Sequence, residues 1–254
     1  MTFGLEQFLL VFGRISGLFL SAPIYASRQI PAQVKVLLAL TLAAMMSPTV
    51  SAQYKIAIDS TGMFMLALLV EMVTGYAIGL VAYLVFAGIQ LAGQLIDMQM
   101  GFGIVNVVDP QSGTQLPLIG SFNYLLALLI YLGMNGHHWL LMAIHQSYQF
   151  IPVMGPNFGA GFTHYLMQLG AQMFVIALKV AAPIVTAIFI ADIALGFMAR
   201  TVPQMNVFLI GIPLKILAGF IMLLVFLPVY IWLLQVLFSD FFSCLDRVII
   251  LLTG

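Results

Sequence analysis

The sequence is poor in charged residues. Lys and Arg number 8 and Asp and Glu number 8 among 254 residues, so 6% of the chain is charged while 63% is hydrophobic. A soluble domain carries about 25% charged residues, and this chain has too few charges to cover a water-exposed surface. It also lacks the low hydrophobicity and high net charge of a disordered chain. Both of those classes are excluded, and a membrane protein is indicated.

Several chemical patterns are absent as well. The single cysteine, Cys244, permits neither an internal disulfide nor a cysteine-ligated metal cluster. Net charge is zero and the few Lys and Arg are scattered, so no basic stripe for nucleic acid exists. The sequence contains no zinc-helix, nucleophile-elbow, phosphate-loop or dinucleotide pattern. We therefore expect no catalytic residues, no metal, no cofactor and no enzymatic activity.

Long apolar runs dominate what is present, and a membrane-crossing helix needs about 20 such residues. Charges and Pro/Gly clusters separate the candidate spans at about Leu5–Ile24, Val34–Met46, Met63–Gln90, Leu118–Leu132, Met167–Ala191 and Val207–Phe238. Residues 1–8 contain no Lys or Arg and Arg14 interrupts the following apolar stretch, so we expect residues 1–24 to be retained and not cleaved as a signal. The predicted fold is an all-α polytopic membrane protein of about six long, partly broken helices.

The distribution of Lys and Arg between loops predicts the orientation. One side of the membrane receives Arg28, Lys35, Arg200 and Lys215, and the other receives Lys55 and Arg247. The side with more positive charge is expected to be cytoplasmic, so both termini are predicted on the opposite side.

Charges within the apolar runs fall on faces of small residues. Glu71, Gly75 and Gly79 recur at helical spacing, and Gly75-xxx-Gly79 is a motif that lets two helices approach closely. The fifth run repeats the arrangement with Lys179, Pro183, Ala187 and Ala191. Glu71 and Lys179 could form a proton or ion relay, or they could be helix-packing ion pairs; Arg14 is a further helix-packing or buried-charge residue. We favour packing, because so few such residues are present.

Histidines are the only titratable groups besides tyrosines between Asp109 and Lys179. His138 and His145 are seven residues apart and could share a helical face, which suggests a metal site. Carboxylate and cysteine ligands are missing from this region, however, and the nearby Trp139 and Tyr148 are typical of an interfacial belt. Structural histidines are therefore the favoured interpretation.

Taken together, several stretches carry a family resemblance. They are Val11–Gly17, Ala22–Ile24, Ile30–Val34, Ala92–Asp97, Gly101-Phe102, Val108–Gly113, Asn135–His138, Ala191–Gly196, Arg200–Phe208 and Pro213–Lys215. This pattern resembles the FliR/SctT family of type III export-gate proteins, which serve flagella and, more distantly, injectisomes. It covers essentially the whole chain, and Asp109-Pro110 with Pro203–Phe208 is its most specific part.

The resemblance implies a non-enzymatic subunit of the flagellar basal body in the bacterial inner membrane. It implies assembly with FliP and FliQ into a channel core that projects partly to the periplasmic side, with FlhB attached and FlhA as a further partner. Unfolded flagellar proteins would be exported through this channel, and membrane lipid would surround part of it. Residues 1–164 would be a FliP-like helical portion and residues 165–254 a FliQ-like helical hairpin. Partner contacts at the hairpin tip are expected from Arg200, Pro203, Gln204, Asn206, Phe208 and Lys215.

The family also supplies a pore plug, here near residues 101–117. The residues expected to form it are Gly101, Phe102, Gly103, Ile104, Val105, Val107, Val108, Asp109 and Pro110. Glycines and an Asp-Pro turn would let the chain fold back tightly while the apolar side chains exclude water. A plain packed connection between the third and fourth spans is the alternative.

Three other functions remain open at this point. An injectisome export subunit of the SctT type is the nearest, and a membrane scaffold without a pore is another. A secondary transporter would place Glu71 and Lys179 in an ion pathway, but Pro183 has no clear counterpart in the first half of the chain. Transporters usually pair broken helices between two repeats, so this absence weighs against that class.

Overall fold

The structure, a computed structural model, describes residues 2–27, 29–53, 60–103, 117–202 and 206–253. Seven helices are present in these ranges, and the same ranges contain no β-strand. In chain order they are α1 (Thr2–Ser21), α2 (Ala32–Gln53), α3 (Thr61–Met100), α4 (Leu118–Gly133), α5 (Gly136–Phe150), α6 (Ala160–Thr201) and α7 (Val207–Thr253). The predicted all-α class is confirmed.

The helices are long and apolar enough to cross a membrane. Five of them, α1, α2, α3, α6 and α7, qualify alone, and α4 with α5 adds a sixth span if that bent pair is counted as one. Because a lipid-exposed backbone must satisfy its hydrogen bonds internally, helices of this kind are the expected spanning elements. The chain is a polytopic membrane-embedded protein.

Several predicted helix ends are wrong. The structure continues α2 through Pro48 to Gln53, α3 to Met100 and α7 to Thr253. Pro48 cannot donate to the carbonyl of Ala44, but the hydroxyl of Ser47 donates to that oxygen at 3.4 Å, which replaces the missing bond. A proline inside an apolar helix is therefore a poor stop signal when a neighbouring hydroxyl is available.

Helices α4 and α5 meet at a bend of 66°. Asn135 has a φ of 57°, a left-handed conformation that asparagine tolerates. A Cβ on the next residue, Gly136, would overlap the ring of Tyr131, whose hydroxyl donates to the Gly136 carbonyl at 2.6 Å. The Asn-Gly pair thus makes a tight corner that a larger side chain would block.

The same corner is held by the connection between α1 and α2. The ring of Tyr25 stacks on that of Phe19 at 4.4 Å, and its hydroxyl donates to the carbonyl of His137 at 3.3 Å. Burial raises the pKa of Tyr25 to about 12, so this hydroxyl stays protonated and able to donate at physiological pH.

The chain folds into two compact units. Unit 1 comprises Met1–Val85, Tyr131–Gly170 and Phe238–Gly254, and unit 2 comprises Phe86–Ile130 and Ala171–Leu237. The core of unit 2 is an apolar cluster of Ala92, Ile96, Met100, Ile119, Ala177, Val180, Ala181, Ile184 and Ile188. The division into FliP-like and FliQ-like portions at residue 164 concerns sequence relationship and stays a prediction.

Candidate functional site

In unit 1, α1 and α3 pack through two facing glycine pairs, Gly13 with Gly17 on α1 and Gly75 with Gly79 on α3. A Cβ on Gly75 would overlap the carbonyl oxygen of Arg14, and one on Gly79 would overlap the hydroxyl oxygen of Ser21. On the opposite helix, a Cβ on Gly17 would overlap the carbonyl of Met72. Small residues at four-residue spacing on both helices therefore bring the two backbones into contact.

A buried ion pair lies in this α1–α3 seam. The side chains of Arg14 and Glu71 are both 0% exposed. Arg14 Nε donates to Glu71 Oε2 at 2.6 Å and Nη2 donates to Oε1 at 3.1 Å. This bidentate geometry is the strongest arrangement available to a guanidinium and a carboxylate.

Helix α5 closes the seam over the ion pair. Arg14 Nη1 donates to the hydroxyl of Ser147 at 2.8 Å, and Nη2 also reaches the carbonyl of Ile151 at 3.4 Å. The guanidinium lies over the ring of Tyr148, 3.8 Å from its centroid, and the Tyr148 hydroxyl lies 3.5 Å from Glu71 Oε2. Arg14 thus connects three helices of unit 1.

This network satisfies its own charges. Both carboxylate oxygens of Glu71 accept hydrogen bonds from Arg14, and the desolvation of two buried charges is offset only when such geometry is good. A group that relays ions has to exchange partners, whereas this one is enclosed by side chains from α1, α3 and α5. The arrangement is suited to fixing helix positions.

The structure brings together four of the predicted packing residues, Arg14, Glu71, Gly75 and Gly79. The sequence argument missed that Gly13 and Gly17 form a second small-xxx-small pair facing the first. The signal was available, since the two glycines flank Arg14 at the same spacing as Gly75 and Gly79.

The expectation that Lys179 and Pro183 lie in a packed helix contact stays a prediction. Lys179 is exposed and Pro183 is half-buried, and both lie in unit 2 on α6. The chain itself therefore does not cover the face on which Lys179 lies. Glu71 forms an ion pair with Arg14 inside unit 1. Lys179 forms no ion pair among the described residues of unit 2.

In unit 2, Asp97 fixes the two ends of the connection between α3 and α4. Asp97 lies in the last turn of α3 and is 5% exposed. Its Oδ1 accepts the backbone N–H of Ile119 at 3.0 Å and its Oδ2 that of Gly120 at 3.1 Å. A carboxylate that lies against the first turn of a helix accepts hydrogen bonds from N–H groups that have no partner within that helix. It also interacts favourably with the helix dipole. Asp97 was not singled out by the sequence argument.

A second polar contact joins the end of α3 to α6 and α7. Gln99 Nε2 donates to Asp192 Oδ2 at 3.2 Å, and Asp192 also forms an ion pair with Lys215. The two charged side chains are 28% and 26% exposed, respectively. Lys215, expected at a partner contact, is thus engaged within unit 2.

The remaining residues of the predicted plug and hairpin tip are placed only in part. Gly101 has a φ of +92°, which favours glycine, and Phe102 packs against the core of unit 2. Gly103 and Arg200 are exposed, and exposed Asn206 accepts the N–H of Leu209 at 3.3 Å at the start of α7. Phe208 lies in α7. Outside the described residues lie Ile104, Val105, Val107, Val108, Asp109, Pro110, Pro203 and Gln204.

The two histidines considered for a metal site do not converge with other ligands. His138 and His145 are both exposed on α5, and the described part of the chain holds no cluster of three or more His, Cys, Asp or Glu side chains.

Comparison with known proteins extends over nearly the whole chain. The family described as "Bacterial export proteins, family 1" matches residues 5–241. Flagellar biosynthetic protein FliR of Bacillus subtilis (strain 168) is 44% identical over 235 residues, covering 91% of this chain and 90% of the relative. FliR of Escherichia coli (strain K12) is 30% identical over 93% of this chain and 90% of its own length. Because the family matches residues 5–241 of the 254, including Arg14, Glu71 and Asp97, the chain belongs to family 1 of the bacterial export proteins, the family of these FliR proteins.

Proposed function

We propose that the chain is a component of flagellar protein export and is needed to build the flagellum. The observation that carries this proposal is its 44% identity over 235 residues to a flagellar biosynthetic protein. The matched region, residues 5–241, includes the buried ion pair in unit 1 and the loop base in unit 2.

We further infer that the chain is a structural subunit of the export gate in the inner membrane. It assembles with FliP and FliQ, and with FlhB and FlhA as further partners, into the channel for unfolded flagellar proteins. Extensive exposed apolar surface supports this inference: of the 18 most hydrophobic consecutive residues, 28% in α6 and 6% in α7 are buried within the chain. These stretches need lipid or partner helices around them.

The region where α6 ends and α7 begins is suited to partner contacts. Arg200 and Asn206 are exposed there and are polar, whereas the helices on either side are apolar. The Lys215–Asp192 ion pair stiffens the base of this tip and connects it to Gln99. The predicted cytoplasmic side of the tip follows from the Lys and Arg distribution alone.

The connection between α3 and α4 serves as the plug of the channel in this proposal. Its two ends are tied by Asp97 to Ile119 and Gly120, and Gly101 turns the chain at its start. These contacts hold the ends of α3 and α4 from which the connection leaves.

Two alternatives have less support. The curated relatives described above are flagellar proteins, which favours a flagellar over an injectisome role. A secondary transporter using Glu71 and Lys179 is disfavoured because Glu71 is already bonded through both carboxylate oxygens to Arg14. Lys179 belongs to the other compact unit.

Co-expression tests the assembly proposal. The tagged chain is produced alone, with FliP and FliQ, and with FlhB only, and each product is extracted in mild detergent. We expect a monodisperse species only when FliP and FliQ are both present, and we expect the chain to restore motility to a flagellated host that lacks its own copy.

The comparison with FlhB alone shows whether a single further partner stabilises the chain without FliP and FliQ. A stable, monodisperse monomer that ignores FliP and FliQ would contradict the assembly proposal. Restored assembly without restored motility would contradict the proposed role in flagellum building.

A further inference from the structure

A small cavity inside unit 2 contains polar groups that the proposed function does not use. It has a volume of about 30 Å³ and lies between α4, α6 and α7. Most of its lining is apolar, and includes Val180, Ile184, Leu223 and Leu227. Asn123 and Tyr230 also line it and are the exceptions.

Both exceptions carry a buried polar atom without a partner. Asn123 is 2% exposed, and its Nδ2 has no hydrogen-bond partner among the described residues. The hydroxyl oxygen of Tyr230 is buried and likewise has no partner there. Leaving such groups unsatisfied is costly, and nearly all buried polar side-chain atoms in proteins have a partner in protein or ordered water.

The α6 wall of the cavity contains a proline. Pro183 lines the cavity and lacks an N–H, so it cannot donate to the carbonyl of Lys179 one turn earlier. Helices at membrane depth tolerate such a proline when a hydroxyl or an ordered water donates to the freed carbonyl. At Pro48 a serine hydroxyl serves this purpose, but none of the cavity-lining residues is a serine or threonine.

We propose that this cavity is a water-binding site, in which one or two ordered waters bridge Asn123 Nδ2 and the Tyr230 hydroxyl beside the Pro183 break. A water needs roughly 10–15 Å³ of such volume and two to four polar partners. The cavity meets the size requirement for two waters, and Asn123 Nδ2 and the Tyr230 hydroxyl supply two partners.

Substitutions test the site, because the presence or absence of water decides whether the thermal midpoint falls or rises. Asn123→Leu and Tyr230→Phe each remove one partner of the water and leave the other group buried without one. We expect each change to lower the thermal midpoint of the purified complex by at least about 2–4 °C. The double variant should lose less than the sum of the two, because it leaves a consistently apolar cavity.

A dry cavity gives the opposite result, since removing an unsatisfied polar group from an apolar site is stabilising. A raised midpoint for both single variants, or additive losses in the double variant, would therefore overturn the proposal. Tyr83→Phe is the control, because Tyr83 is 51% exposed and the same atom is removed outside any cavity.

Hydroxyl-radical labelling of the unaltered complex supplies a second test that does not depend on variants folding. Radicals formed by radiolysis of water held in the cavity should oxidise Tyr230 on the ring carbons next to its buried hydroxyl. After a brief transfer into ¹⁸O-water, the label at these positions should still contain ¹⁶O, whereas label that comes from bulk water should contain ¹⁸O. No labelling, or labelling only in the chain without its partners, would show that water does not occupy the cavity in the complex.

Discussion

The residue on which unit 1 depends most is Arg14. It is fully buried, bonds to Glu71 through two nitrogens, and reaches Ser147 and Ile151 of the region that covers the seam. We predict that Arg14→Met destabilises the chain by about 3–5 kcal/mol, because it leaves a buried carboxylate without its partner. Thermal melting monitored by size-exclusion chromatography of the tagged chain with its partners measures the loss.

The double variant Arg14→Met with Glu71→Leu separates charge pairing from packing. It should recover much of the stability that Arg14→Met loses, since an apolar pair of similar volume leaves no charge behind. Lys179→Met is the matched control, because it removes a cation that is exposed on α6 and should leave folding unchanged. If Glu71→Gln assembles normally while export is lost, the relay interpretation of Glu71 would replace the packing one.

The sequence argument singled out two charged residues by the same pattern of small residues, and only one of them, Glu71, belongs to this cluster. Glu71 shares a helical face with Gly75 and Gly79, and the structure packs that face against α1. Lys179 shares a face with Pro183 in the same manner, yet it is exposed. The difference is the partner: Arg14 is 57 positions away in sequence, and helical spacing alone cannot show which element lies opposite a face.

At the scale of the helices, Gly75 sets the distance between α1 and α3. A Cβ at this position would meet the carbonyl oxygen of Arg14, a backbone atom that cannot turn aside. We predict that Gly75→Ala forces the helices apart, with an overpacking cost of about 1–3 kcal/mol and a weakened Arg14–Glu71 pair. The thermal midpoint of the purified complex reports the effect.

Gly62→Ala provides the control on the same helix. A Cβ at Gly62 has no atom within 4 Å, and Gly62 lies in the first turn of α3, so the change should be neutral or slightly stabilising. Equal effects of the two substitutions would mean that α1 and α3 are not in backbone contact at Gly75.

Helix number was easier to predict than helix length. Apolar runs of about 20 residues identified the spans, because every spanning backbone must bond to itself. The ends were misjudged where polar residues were taken as stops. Asp97 can lie within α3 because its buried carboxylate accepts an N–H at the start of α4. Pro48 can lie within α2 because the Ser47 hydroxyl donates to the carbonyl that Pro48 leaves without a donor. Both compensations depend on geometry that the sequence does not contain.

At the scale of the whole molecule, the compact units are the part of the fold that the sequence did not predict. Unit 1 combines three separated segments, and α3, α6 and α7 each contribute to both units. Hydropathy reads residues in chain order and carries no information on which distant segments pack together. Family resemblance, by contrast, predicted the export role from short motifs, and similarity over residues 5–241 confirmed the family.

The connection between α3 and α4 offers the test that concerns the whole assembled channel. The two ends of this connection have contacts that do not involve residues 105–114. Asp97 bonds to Ile119 and Gly120, and Phe102 packs against the core of unit 2. We therefore expect deletion of Val105–Thr114 to leave both compact units, and assembly with FliP and FliQ, intact. An equal-length Gly/Ser replacement of the same segment preserves the connection and removes only its apolar side chains.

If the segment seals the channel, both variants should make cells permeable to ions and small molecules, because a lumen without apolar side chains fills with water. Leakage is measured as dye uptake and as loss of membrane potential. The complex is also purified from the same cells, to show that it contains the variant. Leakage in the deletion but not in the Gly/Ser variant would mean that the seal depends on chain length and not on the valines. A membrane as tight as that of the unaltered complex in both variants would show that this connection is only a packed link between α3 and α4, and that the channel is closed elsewhere.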